Sequence, residues 1–370
     1  MGRARFALVT AAARLILPEA GSRAIRLSPG AIGRNAMTRN ADPAERRAQV
    51  CFVLGTVQLG MTYGAANATG MPTERHAMEI VHTAIERGIR WIDTARDYRY
   101  AERRIGQAVD GASARDVQII TKLDPLRDVP SDAPPASAVA AAVASLAASR
   151  EALRRDRIDA LLLHRAVHRT AWHGEVWRFL RAERDAGRIV RLGVSVQSPQ
   201  EALAVLADYD VEHIQLPFNI LDHRWNAAGI VDALRTRSDI TVHARSVLLQ
   251  GLLTGAPHAR WPALTGISPT DIVERLRIIA RELGREDTRD LAIAYVRAQD
   301  WIDGVVIGVE TKEQLLHNLA LFERPPLGAA AASALADIPH VPEALLDPAQ
   351  WPDARTALTG TLTSSTVAGR

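Results

Sequence analysis

Three ionisable residues close short apolar runs, and a fourth lies just beyond one of them. Asp93 ends Trp91-Ile92-Asp93, Lys122 ends Ile119-Ile120-Thr121-Lys122, and His164 ends Leu161-Leu162-Leu163-His164. Tyr98 follows Asp93 on the next loop. Together these side chains can manage a proton beside a reacting carbonyl. A carbonyl that accepts hydride develops negative charge on oxygen and needs a proton there. The Tyr98 phenol can supply it, but a phenol of pKa about 10 is a slow acid at neutral pH. A Lys122 ammonium nearby would lower that pKa, and Asp93 would hold the ammonium in place and charged. His164 can donate a second hydrogen bond to the same oxygen. Singly, each residue has a plainer use: a rim charge, a structural histidine, a loop cap. Their order along adjacent strands carries the joint reading.

Such a reading needs elements that bring those strand ends together. From residue 50 to about 322, short apolar runs alternate with helix-length amphipathic stretches. Eight strands are expected: Phe52–Leu54, Arg90–Asp93, Val117–Thr121, Ala160–Leu163, Val190–Val194, His213–Leu216, Thr241–Ala244 and Val305–Ile307. Helices are expected at Thr73–Arg87, with Thr73 as N-cap and Gly88 past its end, and at Ser137–Arg155, with Val139, Val143, Leu146, Ala147 and Leu153 facing inward. Others fall at Glu175–Ala186, Pro199–Ala207, Pro269–Leu283 and Thr288–Gln299. Iterated βα units form either a closed barrel or an open doubly wound sheet. The open sheet calls for a Gly-x-Gly-x-x-Gly turn, and none is present. Gly55 to Gly60 has phosphate-loop spacing, but Met61-Thr62 stands where Lys-Ser/Thr belongs. The expected fold is therefore a single-domain (β/α)8 TIM barrel over residues 49–324. A poorly ordered N-terminal extension covers 1–48. The C-terminal tail, 325–370, either wraps the barrel or lies partly free of it.

Composition narrows the function classes. The 370 residues are 47% hydrophobic and 24% charged, and the longest apolar run, Ala136–Ala148, is short for a membrane span. A single cysteine, Cys51, allows no internal disulfide and fits a reducing, cytoplasmic setting; it is expected just before the first strand as a buried apolar thiol. The net charge of +3 conceals an uneven spread, with Arg3, Arg5, Arg14, Arg23, Arg26 and Arg34 set against Glu19 alone in the first 36 residues. The rest is mildly acidic and carries no basic stripe for nucleic acid. The leader has the composition of a transit peptide. The preferred reading is a non-structural extension ahead of a start at Met37. His164, His168 and His173 lack the HExxH or cysteine context of a metal site, so no metal is expected. His223, Arg224 and Trp225 either line the mouth of the site or open a surface helix.

The chain resembles the aldo-keto reductase family over roughly residues 52–322. The resemblance rests on Gly55-Thr56, on Asp93-Thr94-Ala95-Arg96-Asp97-Tyr98 with Glu102 and Gly106, and on Lys122 and His164. It implies a barrel that binds an extended nicotinamide cofactor without a Rossmann turn, and a small-molecule carbonyl or alcohol substrate, sugar-like alcohols included. It further implies that Ser195 and Gln215 hold the nicotinamide amide, although Val196 replaces the usual Asn. Arg245, Ser246, Leu248 and Gly251 would belong to the pyrophosphate loop, with Arg245 where relatives stack an aromatic ring. Thr56 near the first strand and Gly308, Gln314 and Asn318 near the adenine end complete the set. NADP(H) is the family default and the cofactor expected, with NAD(H) as the alternative. Glu310 argues for NAD(H), because it would repel a 2′-phosphate and can bond ribose hydroxyls, while Lys312 argues weakly the other way. The competing reading is a non-catalytic regulatory module that senses redox state through bound cofactor.

Overall fold

The computed structural model describes residues 50–109, 116–226 and 229–351. The extension 1–48 and the last residues of the tail lie outside them. Eight parallel strands close into a barrel in sequential order: β1 Cys51–Gly55, β2 Trp91–Asp93, β3 Gln118–Lys122, β4 Ile158–Leu163, β5 Ile189–Ser195, β6 His213–Pro217, β7 Thr241–Arg245 and β8 Gly304–Gly308. Closure is completed by β1 pairing with β8, Cys51 opposite Gly304 and Gly55 opposite Gly308. Most expected strand ends move by a residue or two, as terminal hydrogen bonds decide them. Cys51 consequently opens β1 rather than preceding it.

Alternation along the strands sorts side chains into two apolar clusters. Phe52, Leu54, Ile92, Ile119, Leu161 and Leu163 point outward to the helices. Cys51, Val53, Trp91, Ile120, Ala160 and Leu162 fill the barrel interior. A strand repeats every two residues, so the interior set fixes which side chains line the mouth above it. Asp93 is two beyond Trp91, Lys122 two beyond Ile120, and His164 two beyond Leu162. Gln215 and Arg245 likewise come two after His213 and His243. This parity aims five polar side chains at the C-terminal mouth.

The outer helices run close to their expected spans. Thr73 accepts from His76 N to cap Glu74–Glu86, and Ser198, Ser268 and Asp287 cap Pro199–Leu206, Pro269–Glu282 and Thr288–Arg297 in the same way. The helix Pro135–Leu153 departs from expectation in two respects. It buries Ala138, Ala142, Ser145, Leu146, Ser149 and Leu153, leaving Val143 and Ala147 exposed. Small residues face inward because the neighbouring helix Ala101–Ala108 comes very close: a Cβ on Gly106 would lie 2.2 Å from Ala152 O. At 19 residues, with a mean hydropathy of 1.2, it is also long and apolar enough to cross a membrane, more so than the run Ala136–Ala148 suggested. Here it forms the crossover between β3 and β4.

The described part of the tail packs on the barrel. Leu327, Ile338, Leu345, Leu346 and Trp351 join the outer apolar cluster, and the Trp351 indole donates to Leu345 O at 3.1 Å. His340 brings its ring within 4.7 Å of His223. Trp225 is fully buried and donates to Asp222 Oδ2 at 3.2 Å, which makes it a core residue.

Candidate active site

Lys122 is 1% exposed, and all three of its N–H donors are satisfied. Nζ donates to Asp93 Oδ1 and Oδ2, each at 2.8 Å, and to Thr94 O at 2.9 Å. Gln215 crosses the barrel mouth to donate to Asp93 Oδ2 at 2.7 Å. Thr56 is fully buried, and its hydroxyl donates to Asp93 O at 2.8 Å. Asp93 is thus held by side chains from three other segments of the barrel, and Lys122 has no donor left for Tyr98.

Tyr98 meets the lysine with its face instead. Lys122 Nζ lies 5.2 Å from the centre of the phenol ring, and the His164 ring stands edge-on to it at 6.2 Å. Burial pushes the phenol pKa above its ordinary value, the Asp93 carboxylate adds to this, and Arg245 is the cation that opposes it. The sequence-based expectation had the opposite sign, with Lys122 lowering the pKa. It fails because desolvation of the phenol outweighs the neighbouring cation, and Lys122 spends its donors on Asp93 and Thr94. His164 is held neutral, its pKa pushed down to about 3 by burial and then by the Lys122 cation. Its Nδ1 is buried without a partner. The site therefore presents a protonated phenol, a neutral imidazole and a compensated ion pair.

Two further residues belong to this mouth. Tyr63, on the loop after β1, is 36% exposed as a whole residue, but desolvation at its phenol end, with Tyr98 beside it, pushes its pKa up to about 12. A lone tyrosine in a loop gave no sequence signal. Gly60 matters through close approach: a Cβ there would lie 1.8 Å from Tyr98 O and 2.7 Å from Ala101 N. The glycine spacing that suggested a phosphate loop instead lets the Tyr98 loop close over β1. Gly60→Ala is expected to displace Tyr98 and reduce kcat at least about 100-fold, the scale of a 1 Å misplacement. Wild-type turnover in that variant would refute the role.

The residues assigned to the cofactor lie along one side of the mouth. Ser195 is buried opposite Gln215 in the β5–β6 register. The Gln215 amide is oriented by its bond to Asp93, which leaves Oε1 as a buried acceptor without a partner. A carboxamide NH2 is the group that such an acceptor fits, so these residues suit a nicotinamide. Arg245 reaches past the end of β6 and donates to Val196 O at 3.1 Å, Gln197 Oε1 at 2.7 Å and Ser246 Oγ at 3.3 Å. Beyond it Ser246, Leu249 and Gln250 have positive φ (60°, 45° and 54°), as does Gly251 at 90°. Non-glycine residues in that region cost about 1–3 kcal/mol each and cluster where a ligand is gripped. Leu248 is half-buried in the same loop.

At the far end, the space beside Gly308 is filled by the Gln58 amide. Asn318 is buried and accepts from Arg289 at 3.5 Å. Gln314 donates to Glu310 Oε2 at 2.7 Å while accepting from Glu310 N at 2.8 Å. Lys312 turns away to an ion pair with Glu79 at 3.0 Å. Among the described residues, no three His, Cys, Asp or Glu side chains are grouped as metal ligands.

Comparison with known proteins agrees with the barrel fold. The oxidoreductase YrpG of Bacillus subtilis (strain 168) is 24% identical over 275 residues, 68% of this chain and 83% of that protein. Aldo-keto reductase AKR11C1 from Bacillus halodurans, in its holo form, superposes with a TM-score of 0.59 at 21% identity, covering 82% of this chain and 94% of that one. Glycerol dehydrogenase AKR11B4 from Gluconobacter oxydans gives 0.59 at 20%, covering 78% and 90%. The aldo/keto reductase family model matches residues 52–338, with Asp93, Tyr98, Lys122 and His164 all inside the match, and the chain belongs to that family of oxidoreductases.

Proposed function

We propose that this protein reduces an aldehyde or ketone to the alcohol at the expense of NADH, with Tyr98 as proton donor. The observation that carries this reading is the convergence of Tyr98, His164 and the buried Lys122–Asp93 pair at the barrel mouth, with Lys122 Nζ 5.2 Å from the phenol ring centre and the His164 ring edge-on to it at 6.2 Å. A bound nicotinamide cofactor supplies the hydride. The protein supplies the rest. His164 donates a hydrogen bond to the carbonyl oxygen, Tyr98 transfers its proton to that oxygen, and Lys122–Asp93 fixes the face of the phenol ring. Ser195 and Gln215 hold the cofactor amide, and the strained loop after β7 holds its phosphates.

The choice of NADH over the family's default NADPH rests on Glu310. Its carboxylate is half-buried and held by Gln314, just ahead of the helix Lys312–Glu323. A 2′-phosphate there would meet a fixed negative charge, and Lys312 is engaged elsewhere. The test is fluorescence titration with NADH and NADPH side by side, followed by loss of reduced-cofactor absorbance over a panel of aldehydes and ketones. NADH is expected to bind at least about tenfold more tightly, a difference of roughly 1.4 kcal/mol. Tighter NADPH binding would overturn the Glu310 argument. Tight cofactor binding with no turnover of any carbonyl would favour the regulatory module.

A further inference from the structure

Several charges around the reacting groups balance in pairs, and one half-buried arginine does not. Lys122 is compensated by Asp93, Arg127 by both carboxylate oxygens of Asp97 at 2.9 and 2.8 Å, and Arg96 by Glu102. Tyr98, Tyr63 and His164 are neutral near pH 7. Arg245 is the exception. Its partners are the neutral oxygens of Val196, Gln197 and Ser246, and among the described residues it forms no ion pair. It is half-buried and anchored across the β5–β7 side of the mouth. As the last residue of β7, two beyond the interior-facing His243, it enters the same mouth as Asp93, Lys122, His164 and Gln215. An atom placed to react between Tyr98 and His164 therefore sits in an uncompensated positive potential.

Resting on the function proposed above, we propose that Arg245 makes the site discriminate between the two redox forms of its cofactor. The nicotinamide ring is neutral when reduced and cationic when oxidised, and it must lie beside the same reacting atoms. A fixed like charge in a partly desolvated mouth opposes the cationic form and leaves the neutral form untouched. The reduced cofactor is bound more tightly than the oxidised one on this account, and the potential of the bound couple is raised. The protein draws the reduced form from a mixed pool, and oxidised cofactor leaves readily after reduction. The argument holds with or without a 2′-phosphate.

Equilibrium titrations with NADH and NAD+ test this without any turnover, comparing wild type with Arg245→Gln and Arg245→Lys. Far-UV circular dichroism and the melting temperature control for folding. In wild type, Kd for NAD+ should exceed Kd for NADH by well over tenfold. Arg245→Gln should narrow that ratio about tenfold, equivalent to about 30 mV for a two-electron couple, whereas Arg245→Lys should preserve it. An unchanged ratio in Arg245→Gln, or an equal collapse in Arg245→Lys, would overturn the proposal. A wild-type protein that binds neither form would overturn the functional reading, and this inference with it. A ratio insensitive to charge would overturn the inference alone and leave that reading intact.

Discussion

Tyr98→Phe is expected to lower kcat for carbonyl reduction by about 1,000-fold, within the roughly 10²–10⁴ range of a positioned general acid. The substitution removes one hydroxyl and keeps the ring, so the contacts with Lys122 at 5.2 Å and His164 at 6.2 Å persist. Thermal stability and Kd for NADH should therefore barely change. No neighbour can take over the proton. Lys122 has spent its three donors on Asp93 and Thr94. His164, with its pKa pushed down to about 3, is a neutral imidazole through the physiological range and offers a hydrogen bond but no acidic proton. The pH profile carries the same logic. Because His164 stays neutral above its lowered pKa, kcat should be flat from about pH 5 to 8, with no limb at the ordinary histidine value of about 6.5. Activity should fall only as the phenol loses its proton, above its ordinary value of about 10. A Phe variant that turns over within tenfold of wild type would remove Tyr98 from the mechanism, and a limb near 6.5 would remove the neutral imidazole.

The range of the interactions explains why some features were legible in the sequence and others were not. The barrel could be read because each βα unit is local: an apolar strand, a capped helix, a turn. The side chains pointing into the mouth could be read because alternation is fixed by strand geometry, as with Trp91 and Asp93 or Ile120 and Lys122. Features that depend on distances between units were hidden. The inward face of Pro135–Leu153 is set by the close approach of Gly106 to Ala152, so small side chains win over Val143. The purpose of Gly60 is set by a carbonyl far along the chain, at Tyr98. The sign of the Tyr98 shift is set by desolvation of the phenol and by the nearby Asp93 carboxylate, which no spacing reveals. Arg245 was legible as an odd residue in its loop, but its lack of a carboxylate partner emerges only once the strands are closed.

The second large effect concerns stability. Asp93→Asn leaves the Lys122 ammonium, 1% exposed, without its carboxylate, and breaking such a pair is expected to cost about 3–5 kcal/mol. That is a large fraction of the roughly 5–15 kcal/mol that holds a domain folded. The loss should depend on pH with a definite sign. Burial already lowers the Lys122 pKa, and removing Asp93 removes the largest influence opposing that shift. Between its folded pKa and the unfolded value of about 10.4, the unfolded chain binds the extra proton, so the variant should gain stability as pH rises through that window. Lys122→Met should be destabilised comparably, since Asp93 keeps only Gln215 as a side-chain donor to its carboxylate. The double variant Asp93→Asn, Lys122→Met removes both charges, and buried pairs replaced by neutral groups are often no less stable. Urea unfolding of the four proteins should therefore place the double variant within about 2 kcal/mol of wild type, a strong positive coupling in the mutant cycle, while kcat stays as low as in either single variant. Additive losses would mean that the two residues act independently. Recovery of stability without recovery of turnover would show that the buried pair is kept for what it does to Tyr98 and to the bonds around Gln215, and that the barrel itself could stand without it.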